Sequence, residues 1–588
     1  MNIFLRSAVA LSLALLLSQD LSASDDPSLV QWSRSEAEAF NRAQTENKVV
    51  LLYLEAVWCH WCHVMDQKTY ADPNVAAIIN DHFVALRVDS DARPDLANRY
   101  REYGWPATIF LNPEGIDLAK RQGYIKAQAM QRLLTALLED PSPEAAAALK
   151  EPESFSATSE LSDTVRETLI TRHRKRFDSQ LGGLAIGRKF MDRDSVEWDM
   201  TLAGAGDQAA GERARLTLDG ALALIDPVWG GVYQYSTFGD WDHPHFEKLA
   251  TIQGEYLRMY ALAAARFEDP KYARGADAIV NYVRDFLRDS SGAFFASQDA
   301  DLIQGEKGSE YFALGDSQRR ALGLPRVDPG LYARETGMIT EGLVTWYQVS
   351  SQPELLAMGE QAARWALQHR ALPGGGFRHN KTDPAGPYLA DTLAWGRAFL
   401  QLYLATGERQ WLAHSVAANR FIESTFGYAK GGFASAVKTG PITPVPQLDE
   451  NISLARFANL LAEVSGEPGA SQVSDRAMRY LSSPEVALRR ITEAGILLVD
   501  RERAAAPLHL TVVGAKSDPG AAELFSVARA QAGWFRRTEW WDRAEGDLPR
   551  ADVTYPQLKR AALFVCTDQR CSLPIYSASG LKEFFSYQ

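Results

Sequence analysis

The spacing of hydrophobic residues changes along this chain, and each spacing predicts a different kind of structure. Short apolar runs alternate with helical patterns near its start. The predicted strands are 48–54, 83–88 and 107–111, and the predicted helices are 63–70, 74–80 and 127–138. Because strands that alternate with helices are typical of α/β folds, we expect an α/β domain over residues 27–139.

Beyond residue 160, apolar residues recur with the helical period, and the helices that they predict come in pairs. The clearest pairs are 249–267 with 271–287, 341–349 with 354–368, and 391–405 with 408–426, and a weaker one begins at 454. Turns of small residues followed by an apolar one, such as Gly230-Gly231-Val232, separate the pairs. Stacked helical hairpins form either a closed (α/α) toroid or an open solenoid, and we favour a toroid over residues 161–485.

Two other segments complete the predicted order of domains. Residues 140–160 are rich in Pro, Ala, Ser and Glu, which is typical of a linker. Strand patterns return at 508–513 and 562–566, with a helical pattern from 521 between them. The predicted fold is therefore multidomain: an α/β domain, an all-α toroid, and a small C-terminal α/β appendage over 486–588 that completes the toroid.

The first residues have the pattern of an export signal. Arg6 precedes an apolar run over residues 7–17, and Ala23 offers a small residue before a cleavage point. A membrane anchor is the alternative, but the run is shorter than the about 20 residues that span a bilayer. We expect removal of residues 1–23, no membrane association afterwards, and a periplasmic or secreted protein in which disulfides persist.

Composition and charge narrow the classes of function. The 588 residues include 62 Lys and Arg against 74 Asp and Glu, which gives a net charge of −12. Nucleic-acid binders need a basic face, so we expect no nucleic-acid partner. The 14 Trp, 21 Tyr and 25 Phe indicate large cores and fit a stacking surface for a sugar-like ligand. Four cysteines are too few for a disulfide scaffold, but they form two close pairs.

The segment WCHWCH, residues 58–63, carries the sharpest chemical signal. Cys59 would lie at the start of a helix, where backbone amides and a protonated His60 or His63 stabilise a thiolate. Cys62 lies one turn later, within reach to resolve a mixed disulfide. We therefore expect a redox dithiol in which Cys59 is the more exposed nucleophile and Cys62 is buried.

Two other chemistries fit the same six residues. The string matches the C-x-x-C-H pattern of haem attachment, and its Cys and His side chains are also metal ligands, alone or together with Cys566 and Cys571. Trp105-Pro106, just before a predicted strand, favours redox chemistry, because thioredoxin folds place a cis-proline beside the dithiol at this point. We expect a cis bond there, a Trp105 backbone that pairs with substrate, and neither a cofactor nor a metal.

The CHWCHVM string at residues 59–65 resembles the spermatogenesis-associated, thioredoxin-like family. Further matching residues are Phe177-Asp178, Gly182-Gly183, Lys189-Phe190, the run Pro244–Lys248, Asp299-Ala300-Asp301 with Glu306, Gly308 and Tyr311, and Cys566, Cys571 and Pro574. The resemblance implies a thioredoxin-like domain joined to an (α/α)6 toroid of the glycosidase and sugar-epimerase type. Ordinary thioredoxins have a buried acid where this chain has Tyr53, which leaves Glu55 as a candidate proton acceptor.

Two polar groups are candidates for a pocket in the toroid. The first consists of Asp242, His245 and Glu247, and the second of Asp299, Asp301 and Glu306. Paired carboxylates catalyse glycoside hydrolysis, and a His with a Glu can transfer the proton of an epimerisation. The same side chains could instead hold their loops by hydrogen bonds to the backbone.

The second cysteine pair and the overall function each leave alternatives open. Cys566 and Cys571 could form a structural disulfide, a redox pair that exchanges electrons with Cys59 and Cys62, or part of a shared metal site. The observations favour an exported thiol–disulfide oxidoreductase that acts on a protein thiol or disulfide, with the toroid as its binding platform. The alternatives are a carbohydrate-active enzyme with a regulatory thioredoxin domain, and a non-catalytic metal-binding scaffold.

Overall fold

The computed structural model describes residues 28–145, 155–383, 385–567 and 570–586. The predicted signal over residues 1–23 lies outside them, as does the middle of the predicted linker. Among the described residues, no helix combines the length and the apolar character that a membrane span requires.

The N-terminal domain is built on a four-stranded sheet. Its strands are β1 (Val49–Glu55), β2 (Phe83–Asp89), β3 (Ala107–Leu111) and β4 (Asp117–Gln122), in the spatial order β2-β1-β3-β4. Its helices are α1 (Glu36–Glu46), α2 (His60–Met65), α3 (Pro73–His82), α4 (Pro94–Arg99) and α5 (Ala127–Glu139). β1 is parallel to β2 and antiparallel to β3, and β4 is antiparallel to β3.

The apolar run of the central strand β1 is explained by burial on both faces. Alternate side chains enter separate clusters: Val50, Leu52 and Leu54 pack on one face of the sheet, and Leu51 and Tyr53 on the other. All three predicted strands are present, while β4, α1 and α4 are additional. Helix α2 begins at residue 60 rather than 63, because the preceding cysteine already serves as its N-cap.

The middle of the chain is helical, with short strands in its loops. The helices are α6 (Asp163–Arg176), α7 (Arg193–Gly204), α8 (Gln208–Ala221), α9 (Ala250–Phe267), α10 (Pro270–Tyr282), α11 (Ser309–Phe312), α12 (Asp316–Leu322), α13 (Ala333–Ser350), α14 (Pro353–His369), α15 (Leu389–Thr406), α16 (Arg409–Thr425), α17 (Leu448–Ser465), α18 (Pro468–Leu481), α19 (Pro484–Ala487) and α20 (Ala494–Arg503). The strands are β5 (Tyr235–Ser236), β6 (Pro244–His245), β7 (Lys248–Leu249), β8 (Ser297–Gln298) and β9 (Val327–Asp328).

Six helices of the described chain form a closed inner ring. In order around the ring they are α7, α9, α13, α15, α17 and α20, and α20 packs back against α7. Each also packs against an outer helix, in the pairs α7–α8, α9–α10, α13–α14, α15–α16, α17–α18 and α20–α6. Because the ring closes, the helical region is an (α/α)6 toroid and not an open solenoid.

The segment that we predict as the C-terminal appendage contributes to two structures. Its helix α20 is the last inner helix, and this is how the appendage completes the toroid. The residues after α20 form a second four-stranded sheet of order β11-β10-β12-β13. Its elements are β10 (Leu508–Val513), α21 (Pro519–Arg529), β11 (Arg536–Trp541), β12 (Ala562–Thr567), β13 (Arg570–Cys571) and α22 (Ala578–Ser586).

The two sheet domains contact opposite ends of the inner helices. On the side where these helices begin, His379 Nε2 lies 2.6 Å from the carbonyl oxygen of Asp91 in the N-terminal domain. On the side where they end, Lys516 of the C-terminal domain donates to the carbonyl of Gly407, just after α15 (3.0 Å). The 18 residues of α13 rise by about 27 Å, which is roughly the distance that separates the two domains.

Candidate functional site

The CxxC pair lies directly after the central strand of the N-terminal sheet. Cys59 caps α2, and its Sγ accepts a hydrogen bond from the amide of Cys62 (3.1 Å). The two residues form a disulfide. Both are buried: Cys59 is 3% exposed and Cys62 is 0% exposed, so Cys59 is the more exposed of the two, as predicted, but only by a small margin. The toroid supplies part of the cover, because Leu249, just before α9, packs in the same apolar cluster as the two cysteines.

Two tryptophans and a cis-proline border the disulfide. The Trp105–Pro106 bond is cis, as predicted, and β3 follows it immediately beside β1. The Trp105 and Trp58 rings lie 5.6 Å apart. One loop holds both indoles: Trp105 Nε1 donates to Ser90 Oγ (2.6 Å), and Trp58 Nε1 donates to the Asp91 carboxylate (2.8 Å). Burial raises the pKa of Asp91 well above its usual range.

The two histidines of the CxxC segment bind an acid from the toroid. His60 Nδ1 lies 2.9 Å from Asp301 Oδ1, and His63 Nδ1 lies 3.2 Å from Asp301 Oδ2. Asp301 follows β8 in the toroid and is 2% exposed. Residues that the sequence suggests for two separate sites, a dithiol and a sugar pocket, therefore belong to one cluster across the domain interface.

The hydrogen bonds of His63 indicate that its ring is positively charged. Nδ1 faces the Asp301 carboxylate, and Nε2 lies 3.1 Å from the carbonyl oxygen of Val57. Both partners only accept, so with this set of contacts both ring nitrogens carry hydrogen, and a metal ion at Nδ1 would replace one of these hydrogens. Burial alone would lower the pKa of His63, but the hydrogen bond to Asp301 and the charges of Asp299 and Asp301 raise it. Burial likewise opposes ionisation of Asp301, yet its bonds to His60 and His63 lower its pKa.

Asp299 is the least satisfied member of this cluster. Its side chain is buried, and its Oδ1 accepts the amide of Asp301 (3.0 Å). Its Oδ2 has no hydrogen-bond partner among the described residues and lies 3.9 Å from His63 Nε2. Burial raises the pKa of Asp299 to about 7, although the charge on His63 opposes this.

A cavity of about 1920 Å³ joins the cluster to the interior of the toroid. The predicted residues that line it are Cys59, His60 and Trp105 from the N-terminal domain and Asp242, His245, Glu247 and Asp301 from the toroid. Glu306 is exposed on the loop after Asp301 and is not among the lining residues. The disulfide thus faces an open cavity between two domains.

His245 and Glu247 form a second polar group in the cavity. The His245 ring stacks on Tyr235, with ring centroids 4.4 Å apart. His245 Nδ1 lies 3.8 Å from Glu247 Oε2, a buried atom without a hydrogen-bond partner in the described chain. Neither side chain hydrogen-bonds to the backbone as the loop-holding alternative requires, so both remain available to a ligand.

The floor of the cavity is a charged network that sequence analysis did not identify. Arg258, Arg397 and Arg456 surround the ring of Trp534, which comes from the C-terminal segment. Arg258 and Arg456 both bind Glu197. Burial alone would raise the pKa of Glu197, but the charges of the two arginines lower it well below its usual range. The sequence contained one signal for this network: Arg456 is a charged residue inside the apolar run ISLARFANLL, where a charge needs a buried partner.

Glu55 is not free to accept a proton from the cysteines. Arg87 donates to it through Nε (2.5 Å), and Arg87 also binds Asp66 (2.7 Å). Tyr53, in the position of the missing acid, donates instead to the carbonyl of Cys62 (3.3 Å). The candidate proton acceptor suggested by the sequence is therefore held in an ion pair.

The second cysteine pair lies far from the first. Cys566 on β12 is directly opposite Cys571 on β13, and the two form a disulfide. This sheet covers the other end of the toroid, while thiol–disulfide exchange and shared metal ligation both need the sulfur atoms nearly in contact. The relay and the shared metal site are therefore wrong for this fold, and the structural disulfide remains.

Comparisons with known proteins agree with a thioredoxin-like N-terminal region. Residues 18–140 match the profile of a family named Thioredox_DsbH and described as a protein of unknown function, DUF255. Human spermatogenesis-associated protein 20 is 22% identical over 94% of this chain and 89% of its own length. The protein B0495.5 of Caenorhabditis elegans is 25% identical over 48% of this chain, and the match spans only 42% of the nematode protein.

Two further similarities concern parts of the chain. The thiol:disulfide interchange protein DsbD 2 of Pseudomonas aeruginosa is 35% identical over 83 residues, which is 14% of each chain. Among solved structures, cellobiose 2-epimerase from Bacillus thermoamylovorans B4167 is similar to 54% of this chain over 85% of its own, with a TM-score of 0.43 and 11% identity. The toroid assignment itself rests on the closed ring of helices described above.

Proposed function

We propose that this member of the spermatogenesis-associated, thioredoxin-like family is a thiol–disulfide oxidoreductase whose dithiol works inside a cavity shared with a toroid. The observation that carries the proposal is the Cys59–Cys62 disulfide at the start of α2, open to that cavity. The local similarity to a thiol:disulfide interchange protein supports the same chemistry.

The surroundings of Cys59 suit a thiolate nucleophile. In the reduced protein, the amide of Cys62 and the positive charge of His63 would stabilise a thiolate on Cys59. That thiolate attacks a substrate disulfide and forms a mixed disulfide, while the other substrate sulfur leaves as a thiolate. Cys62 then attacks Cys59, which releases the reduced substrate and restores the Cys59–Cys62 disulfide. The opposite direction uses the same steps in reverse.

The burial of Cys59 restricts the substrate. With 3% of its surface exposed, Cys59 is reached only through the cavity, so the reacting sulfur must be carried on a slender group. We propose an extended segment of a protein thiol or disulfide as the partner, in a periplasmic or extracellular compartment. Trp105, which packs against the two cysteines and lines the cavity, supports contact with such a segment.

The test is a reduction potential combined with an activity assay. We expect the Cys59–Cys62 pair to equilibrate with glutathione or dithiothreitol buffers, where a value near about −120 mV marks an oxidant and one near about −270 mV a reductant. Cys59→Ser should reduce catalysed disulfide exchange to background, and Cys566→Ser serves as the matched control. Equal activity of the two variants would refute the proposal.

A second candidate function rests on the other polar group of the cavity. His245, stacked on Tyr235, and the unpartnered Glu247 suit proton transfer on a sugar-like ligand. Incubation with reducing disaccharides and monosaccharides, followed by chromatography, tests for epimerised or isomerised product. Product that Glu247→Gln abolishes and Cys59→Ser leaves unchanged would favour this function over the redox one.

A further inference from the structure

We propose that the junction between α2 and the loop after β8 binds one divalent transition-metal cation, with His63, Asp299 and Asp301 as its ligands. These residues come from two domains and meet only when the N-terminal domain is seated on the toroid. The site goes beyond the redox function proposed above, because it does not use the cysteines.

The geometry of the cluster fits a single small cation. One ligand atom from each of His63, Asp299 and Asp301 lies within 4.8 Å of the others, and all three side chains are buried. Ligand atoms bound at about 2.0–2.2 Å in a tetrahedral site lie about 3.3–3.6 Å from one another. Side-chain rotations that move these atoms by about 1 Å therefore bring all three into the coordination range.

Independent support comes from the unpaired oxygen of Asp299. Its Oδ2 is fully buried, lacks a hydrogen-bond partner among the described residues, and faces His63 Nε2 at 3.9 Å. Buried carboxylates are normally paired, hydrogen-bonded or bound to a metal. His60 Nδ1, which lies 2.9 Å from Asp301 Oδ1, is at the edge of this group and holds Asp301 in place.

The donor set selects the class of metal. An imidazole nitrogen with carboxylate oxygens suits zinc, cobalt, manganese or iron, whereas calcium and magnesium prefer oxygen ligands alone. The sulfur atoms of Cys59 and Cys62 are joined to each other and are not available. This site therefore differs from the sequence-based alternative, in which the cysteines themselves bind metal.

The competing explanation is that the protonated ring of His63 is the only cation of the cluster. A positive imidazolium between two carboxylates balances their charge without a metal. The two explanations differ in what happens when metal is supplied to the chelator-treated protein, so binding measurements on the oxidised protein decide between them.

The experiment uses the full chain with both disulfides intact and its metals removed by chelation. Titration with ZnCl2 in a calorimeter should show one site per chain. Asp299→Asn and His63→Gln should each weaken zinc binding by about tenfold or more, since loss of even an outer partner of a metal ligand has effects of this size. The control is His243→Gln, which removes an exposed histidine paired with Asp240 outside the cluster, and it should bind zinc as the parent does.

A second variant separates this site from a cysteine site and from misfolding. The Cys59→Ser, Cys62→Ser double variant should still bind zinc, and its Co2+ complex should show visible bands without thiolate charge transfer. Circular dichroism of each metal-free variant confirms that it is folded. The proposal is overturned if folded Asp299→Asn binds zinc as tightly as the parent, if the double variant does not bind, or if the parent binds no zinc. None of these readouts depends on redox activity, so failure here leaves the proposed function intact.

Discussion

The N-terminal and C-terminal sheets arrange their strands in the same way. In each, a central strand, β1 or β10, lies between a parallel and an antiparallel neighbour, and a fourth strand extends the antiparallel side. Each of the two domains also contains one disulfide. The central strands both end next to the toroid, but β1 is followed by Cys59, whereas β10 is followed by Lys516, which binds a helix terminus.

The difference lies in where the cysteines are placed on a common framework. Cys59 and Cys62 follow the end of the central strand, and Cys59 lines the cavity, while Cys566 and Cys571 join the outermost pair of strands. The same sheet arrangement thus places one disulfide beside the cavity at one end of the toroid and the other at a sheet edge at the opposite end, which fits the redox role proposed for the first pair alone. The position relative to the toroid, and not the type of domain, separates the two roles.

The largest expected effect is a loss of folding stability when the network of arginines and glutamates at the floor of the cavity is disrupted. Trp534 covers this network on the C-terminal side. Arg456→Ala leaves Glu197 and Glu502 buried without this partner, and removal of one member of a buried ion pair destabilises by about 3–5 kcal/mol. Urea unfolding followed by tryptophan fluorescence measures the change. Arg420→Ala is the control, because Arg420 pairs with Glu467 at the surface and such a pair contributes about 0–1 kcal/mol. Equal destabilisation would mean that the floor is not a structural network.

A pH-dependent change in folding stability tests the interface between the N-terminal domain and the toroid. Burial raises the pKa of Glu450 from its usual 4.5 to about 7, although a bond from Asn98 opposes this. Between pH 4.5 and about pH 7, Glu450 loses its proton in the unfolded chain but keeps it in the folded chain. The free energy of unfolding therefore falls as the pH rises through this range, by about 3 kcal/mol in all. Glu450→Gln should therefore raise the melting temperature at pH 8 and change it little at pH 4.5. A gain that is independent of pH would contradict this assignment.

The contact of Asp301 with His60 and His63 is present only at the end of the toroid that carries the N-terminal domain, so its loss should loosen that end alone. Asp301→Asn weakens hydrogen bonds to charged groups, each worth about 1.5–3 kcal/mol. Amide hydrogen exchange in α2 should then accelerate by about tenfold or more, while exchange in β12 stays unchanged. The measurement is made with the Cys59–Cys62 disulfide intact and with chelator present. Acceleration in both elements would show that the two ends are not independent.

The smallest effect is expected from the C-terminal disulfide. Cys571→Ser opens a loop of only a few residues, for which the expected loss of stability is about 2 kcal/mol. The reduction potential of the Cys59–Cys62 pair should not change, because the two disulfides lie at opposite ends of the inner helices. A shift in that potential would revive the electron relay that the structure excludes.

The elements that the sequence predicts best are those with a continuous apolar signal. The strand at 107–111 and the strand at 508–513 have the predicted bounds, because their side chains are buried on both faces. The strand β4 was missed, because its sequence DLAKRQ is half exposed and lacks alternation. Helix α13 begins eight residues before the prediction of 341, because polar residues such as Arg334 face the cavity and mask the apolar period.

The candidate residues were predictable, but their assembly was not. The CxxC segment and the acids after β8 each stand out by residue type, and both are present in the site. Nothing in the sequence relates His60 to Asp301, which lies 241 positions later. Their contact depends on how a whole domain sits on the toroid, and the burial of Cys59 follows from that same placement.

Closure of the helical ring has a consequence for synthesis of the chain. The outer helix α6 starts near residue 163, but its inner partner α20 ends at residue 503, so the ring cannot close until nearly the whole chain has been made. The N-terminal sheet is complete long before that and can fold first. During this interval no toroid shields Cys59 and Cys62, and the nascent dithiol is open to the oxidants of its compartment. The Cys59–Cys62 pair can therefore react with an oxidant before its cavity exists.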